Sequence, residues 1–139
     1  MFLRIFYSKK GKFVFMGHLD TVFHIEKILR KMEMDFVKGR GYKRKIKFST
    51  SPPLKTGFSS DCEFIDIETE KEYTPDYINQ EVLKAFPEEM KPVKVVISKE
   101  KIKSMPKEFV FKKEGKIFKF SANQKITISP PAEKIDLIF

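Results

Sequence analysis

His18 and Asp20 stand two residues apart just after Gly17, and a histidine beside a carboxylate is a pairing that could act as a general base and its orienting partner. Side chains two apart do not face each other on a helix, so the same residues read more simply as a helix start. Gly17 would be the cap, and Asp20 would favour the N-terminus by its charge and accept from its amides. The orphan amides of that first turn could also receive an anion or a partner's polar group. His24, four residues after Asp20, is expected to form an exposed pair with it. Two histidines and one cysteine give no metal-ligand spacing, so no metal and no cofactor are expected. Cys62 is alone in the chain, which excludes an internal disulfide; alternating with Phe64, it reads as a small core residue.

A second chemistry lies in charge. Lys38, Arg40, Lys43, Arg44, Lys45 and Lys47 occupy ten consecutive positions. The first 60 residues hold 14 Lys and Arg against 4 Asp and Glu, a net +10, whereas the rest sums to −1. Concentrated positive charge raises the local concentration of polyanions and steers their approach. Joined by Lys9, Lys10, Lys12, Arg30 and Lys31, the segment is a candidate surface for RNA or another polyanion. Such contacts would go to phosphates, with little base readout. An acidic partner protein, or a solvated loop with no partner, would fit the same composition.

The elements that position these residues follow from periodicity. Phe2 to Tyr7 alternates as a strand, Lys9-Lys10-Gly11-Lys12 turns, and Phe13 to Met16 reads as a short second run. Leu19, Val22, Ile25, Leu29 and Met32 recur every three or four residues and predict a helix. Lys45 to Ser49 predicts a strand with Ile46 and Phe48 inward and the two lysines outward; Cys62 to Glu68 predicts another. Thr74 caps a helix that begins at Pro75 and runs to Phe86, followed by a strand from Val93 to Ser98. This order predicts an α+β fold, a ferredoxin-like βαββαβ sandwich over residues 1–100 with two helices on one face of an antiparallel sheet. Residues 101–139 form a β appendage packed on or beside it as one compact unit: a hairpin around Glu114-Gly115, then short strands at Lys125 to Ser129 and Ile135 to Phe139. Phe2, Phe6 and Phe64 would share the open sheet face, as in RNA-recognition domains that stack bases on aromatics. Asp66 and Glu68 on that face would repel phosphate, Arg4 is placed to pair with Asp66, and burial under the C-terminal strands is the expected role of the three rings.

At 139 residues a single domain is expected, and fifteen Phe with no Trp make Phe its main core filler. No apolar run is long enough to cross a bilayer. Met1 to Lys10 carries Arg4 and no small-residue cleavage site, so a cytoplasmic location without membrane attachment is expected.

Several blocks together resemble a known family: Ser8-Lys9-Lys10-Gly11-Lys12, Phe15, Gly17-His18-Leu19-Asp20, Glu26 to Arg30, Lys45-Ile46-Lys47-Phe48, Pro53-Leu54, Gly57, Ser60 and Glu63 to Ile67. Over roughly residues 3 to 100 the chain resembles the radical-SAM-linked protein family, a bacterial domain of unknown function found beside or fused to radical S-adenosylmethionine proteins. Gly17 stands where that family typically has serine, and Gly41-Tyr42-Lys43-Arg44 replaces a segment rich in proline with a histidine. The resemblance implies a radical-SAM partner protein. With no Cys-x-x-x-Cys-x-x-Cys run this chain would not itself ligate the iron–sulfur cluster. The expected function is a non-enzymatic accessory domain binding RNA or another polyanion; a protein adaptor docking an acidic surface is the alternative, and an enzyme centred on His18 and Asp20 the third.

Overall fold

A computed structural model describes residues 1–40 and 45–139. Gly41, Tyr42, Lys43 and Arg44 lie outside the described residues. The chain has the expected α+β class. In order come β1 (Phe2–Lys9), α1 (His18–Lys31), β2 (Phe48–Thr50), β3 (Phe58–Glu68), α2 (Pro75–Ala85), β4 (Pro92–Ser98), β5 (Glu108–Lys113), β6 (Lys116–Ser121) and β7 (Ala132–Ile138). The strands join in one sheet along the path β4-β1-β3-β7-β5-β6, with β2 also on β3.

β3 holds the two halves together by length. Its eleven residues pair antiparallel with β1 over most of their run, while its other side is shared. Phe58 to Ser60 pairs in parallel with Ala132 to Lys134 of β7, and Ile65 to Ile67 pairs antiparallel with β2. The C-terminal strands are thus not a lone hairpin: β7 ties the β5–β6 pair into the sheet. The β5–β6 turn is as expected, with positive φ at both Glu114 and Gly115, the geometry whose twist matches paired strands.

Alternation along β1 and β3 divides the apolar residues between two cores. Leu3, Ile5, Tyr7, Ile65 and Ile67 pack against Ile25, Ile28 and Leu29 of α1 and Ile78 and Val82 of α2. Phe64, with Phe6 against it, turns to the other face and meets Phe109, Phe111, Phe120 and Leu137 of the C-terminal strands. Isolated helices of 11 to 14 residues are marginal in water. These helices therefore stand by packing, each buried apolar side chain contributing about 1.5–3 kcal/mol. Gly17 caps α1 without a side-chain hydrogen bond, and Thr74 caps α2 by accepting from the Tyr77 amide.

Arg4 crosses between the layers. Although 2% exposed, it donates to both carboxylate oxygens of Asp66 at 2.7 and 2.8 Å and to the Ser104 carbonyl at 2.7 Å, and its guanidinium lies over the Phe64 ring. The expected Arg4–Asp66 pair is present, and it anchors the 99–107 connector as well.

Three expectations are corrected. Phe13 to Met16 is not a strand: positive φ at Gly11 turns the chain into a 3₁₀ helix over Gly11–Phe15. Lys125 to Ser129 forms no strand, because its alternation buries Ile126 and Ile128 partly against the second core without a ladder partner, and two prolines follow. Phe2 is half-buried and borders the connector beside Ile102 and Met105, rather than lying under the strands. The Lys45 to Ser49 alternation is real in burial, but regular pairing begins only at Phe48, with a single bridge from Lys38 to Ile46 before it.

Gly57 precedes β3 at φ +92, and a Cβ there would sit 2.8 Å from the Pro130 Cβ. Gly57→Ala therefore adds a clash to backbone strain and should cost about 1–3 kcal/mol, read as a lower urea midpoint at unchanged slope.

Candidate functional site

β1 ends irregularly. Its register against β3 shifts between Tyr7 and Lys9, and Ser8 and Lys9 are both buried there. Lys9, 3% exposed, donates from Nζ to the Met16 carbonyl at 3.2 Å and to Thr21 Oγ1 at 3.1 Å. Burial pulls its ammonium below the ordinary lysine value, and the opposing pull of the Glu63 charge does not offset it.

Opposite Tyr7 on β3 stands Glu63, also 3% exposed. Its Oε2 accepts from Ser60 Oγ at 2.6 Å and from Lys134 Nζ of β7 at 2.9 Å, and its Oε1 accepts from Ser51 Oγ at 3.3 Å. Lys134 is itself 3% exposed and lies over the Phe109 ring. A recess with room for about one water-sized group opens between the start of α1 and the 50–54 loop. Tyr7, Lys9, His18, Thr21, Ser51 and Glu63 all line it.

His18 is thus brought to this recess, half-buried, whereas Asp20 is exposed. Among the described residues no hydrogen bond joins them, so the structure does not bring together the base and orienting carboxylate considered from spacing. His24 does not pair with Asp20 as expected; its ring stacks on Phe13 with centroids 5.4 Å apart, a contact the 3₁₀ helix creates. Among the described residues no group of three metal-ligating side chains occurs.

The basic residues divide by place. Lys9 leaves the surface altogether, a correction to its expected role as an exposed phosphate contact: β1 runs on to it, and strand alternation keeps it on the inward face of Leu3, Ile5 and Tyr7. Lys10 is exposed but spent on Asp61 at 2.7 Å, which raises its pKa chiefly through that hydrogen bond. Lys12 and Lys31 are exposed, and Arg30 is exposed while held by Glu26 at 3.0 Å. Lys38, Arg40, Lys45 and Lys47 are exposed with no ion pair among the described residues. They flank the paired arms in which the Lys47 amide donates to the Val37 carbonyl and the Gly39 amide to the Lys45 carbonyl. Arg30, Lys38 and Arg40 border one depression, at the end of α1 away from the recess. Lys43 and Arg44 lie outside the described residues.

Reading the sequence missed Lys134 and Glu63 as a buried pair. One signal pointed to Glu63: strand alternation puts it on the same face as the apolar Ile65 and Ile67. Cys62 is partly buried as expected of a small packing residue; burial pushes its thiol up to about 11, despite the nearby Lys134 charge.

Residues 3–125 match the model of a family described as "Uncharacterized protein conserved in bacteria" (DUF2344), and the chain belongs to that family. No curated protein and no solved structure matches the chain. No helix among the described residues is long and apolar enough to cross a membrane.

Removing one partner of a buried pair strands the other, at about 3–5 kcal/mol, whereas an apolar replacement of both is far better tolerated. Glu63→Leu should therefore lower unfolding free energy by about that amount, and Glu63→Leu with Lys134→Met should recover most of the loss in urea unfolding. A thiol displaced to about 11 is almost wholly protonated at neutral pH. Alkylation of native Cys62 by iodoacetamide at pH 8 should run roughly 100-fold slower than that of an unfolded-chain cysteine.

Proposed function

We propose that this member of an uncharacterised bacterial family is a non-enzymatic accessory domain that binds the backbone of RNA. The observation that carries the reading is that Lys38, Arg40, Lys45 and Lys47 are exposed and without ion pairs among the described residues, with Lys38 and Arg40 bordering one depression beside Arg30 at the end of α1. A lysine held by a carboxylate, such as Lys10, has less to offer a phosphate; these four do not carry that handicap. The resemblance to radical-SAM-linked proteins supports a radical-SAM enzyme as the partner, acting on RNA that this domain presents. The strand path β4-β1-β3-β2, with two helices packed on one face, supports the ferredoxin-like reading of residues 1–98.

One observation favours the adaptor reading as a second. Leu19 and Phe23, one turn apart on α1, are 84% and 57% exposed, and Lys27 covers the Phe23 ring at 4.5 Å. An exposed apolar pair with an ammonium laid over one ring suits a partner protein with an apolar patch and an acid beside it.

RNA association measured across salt concentrations separates the two. For single strands, log K should fall against log salt with a slope that shrinks by about 0.7 for each phosphate left without its neutralising cation. Replacing Lys38, Arg40, Lys45 and Lys47 by Gln should weaken binding uniformly across sequences and flatten that slope, while Leu19→Ser leaves both unchanged. Absence of RNA binding at low salt would end the RNA reading.

A further inference from the structure

The polar interior around the start of α1 is unbalanced. Lys9 and Lys134 are both 3% exposed, and the acidic group buried with them is Glu63. Glu63 spends Oε2 on Lys134 and Ser60, so Lys134 is neutralised directly while Lys9 rests on two neutral acceptors. An ammonium carries three donors, which leaves one N–H of Lys9 with no acceptor among the described residues. Tyr7, 2% exposed as a residue, lines the same recess with Glu63, and its hydroxyl makes no hydrogen bond among the described residues. No fully enclosed side-chain polar atom among the described residues lacks a partner, so the free Tyr7 hydroxyl opens onto the recess; with the Lys9 ammonium beside it, it points to a polar occupant there.

The walls favour an anion. Of the first turn of α1, a fourteen-residue helix whose Gly17 cap offers no side-chain oxygen, His18 and Thr21 line the recess. A Cβ on Gly17 would meet nothing within 4 Å, so the cap position is open. His18 lines the recess and makes no hydrogen bond among the described residues. Asp20 is exposed and lies outside the lining. The carboxylate that does line it, Glu63, is engaged by Lys134, Ser60 and Ser51.

We propose that this recess is a phosphate-binding site, receiving one oxygen of a phosphate group between the Lys9 ammonium, the Tyr7 hydroxyl and the first turn of α1, with the rest of the group held outside at His18. Room for about one water-sized group fits a single oxygen entering from the surface. The phosphate is either free or the terminal phosphate of a strand. The site is separate from the basic surface at the far end of α1 and does not depend on it.

Titration of the intact protein with inorganic phosphate at fixed ionic strength, balanced with chloride, tests the assignment. Saturable stabilisation in thermal unfolding is expected, accompanied by a rise in the Lys9 pKa measured on its side-chain resonances. Tyr7→Phe and Lys9→Met should each weaken phosphate binding by about tenfold or more, the loss of one bond to a charged group. Tyr7→Phe changes one atom and keeps the ring packing, so it decides the matter even if Lys9→Met fails to fold. The Gln variants of Lys38, Arg40, Lys45 and Lys47 should bind inorganic phosphate as the unaltered chain does, whatever happens to RNA. A 5′-phosphorylated oligoribonucleotide outcompeting its 5′-hydroxyl counterpart would assign the strand terminus, and equal competition the free ion. No saturable response, or one that Tyr7→Phe leaves unchanged, would overturn the proposal.

Discussion

The buried Glu63 carboxylate is the constraint on which much of this molecule turns. It lies on β3 facing the helices, yet its counter-charge, Lys134, comes from β7, which belongs to the C-terminal strands. An ion in so dry a place is tolerated only while all its partners hold position. Ser51 from the loop after β2 and Ser60 from β3 itself complete the set. Three separate stretches of chain must therefore arrive together before the carboxylate is satisfied. The requirement fixes how the C-terminal strands register against β3, since a slip by one residue would aim Lys134 at the opposite face.

Arg4 performs a related task on the other side of the sheet. Its bidentate grip on Asp66 and its bond to the Ser104 carbonyl fasten the connector across β1, while the Phe64 and Phe139 rings lie on its guanidinium. One cation thus ties the start of the chain to its last residue. Between Arg4 and Glu63, the two cores are joined through polar groups as well as through the shared strands, and neither face of β1 and β3 is left to solvent as a platform. Phe6 and Phe64, which could stack bases on an open sheet, are consumed in packing.

Much of this was legible in the residues. The α1 helix, though with Leu19 of its expected stripe turned out to solvent, the Thr74 cap, the Glu114-Gly115 turn and the Arg4–Asp66 pair each rest on local or same-face rules, and each is found. What was not legible depends on non-local geometry. Lys9 reads as one of four consecutive surface-turn residues, whereas the strand extends to it and keeps it on the inward face of Leu3, Ile5 and Tyr7. Ile126 and Ile128 alternate as a strand does, but alternation records which side chains are buried, not whether a neighbouring backbone is there to pair. Glu63 and Lys134 lie 71 residues apart, each in a strand with other charges, and nothing in either strand names the other. Of the candidate site, the His18 start of α1 was visible; the buried charges that give it chemistry were not.

The sheet has two open ends, β4 and β6, and each offers unpaired amides and carbonyls to any passing strand. β4 begins with Pro92 and exposes Lys94, and β6 exposes Lys116 and Lys119 beside the bare Ile117. Two copies meeting edge to edge would bring like charges together along the line where hydrogen bonds must form. The lysines of the C-terminal half, balanced on paper by its acids, thus serve colloidal ends: they keep a protein with unguarded strands from becoming a template for its own aggregation.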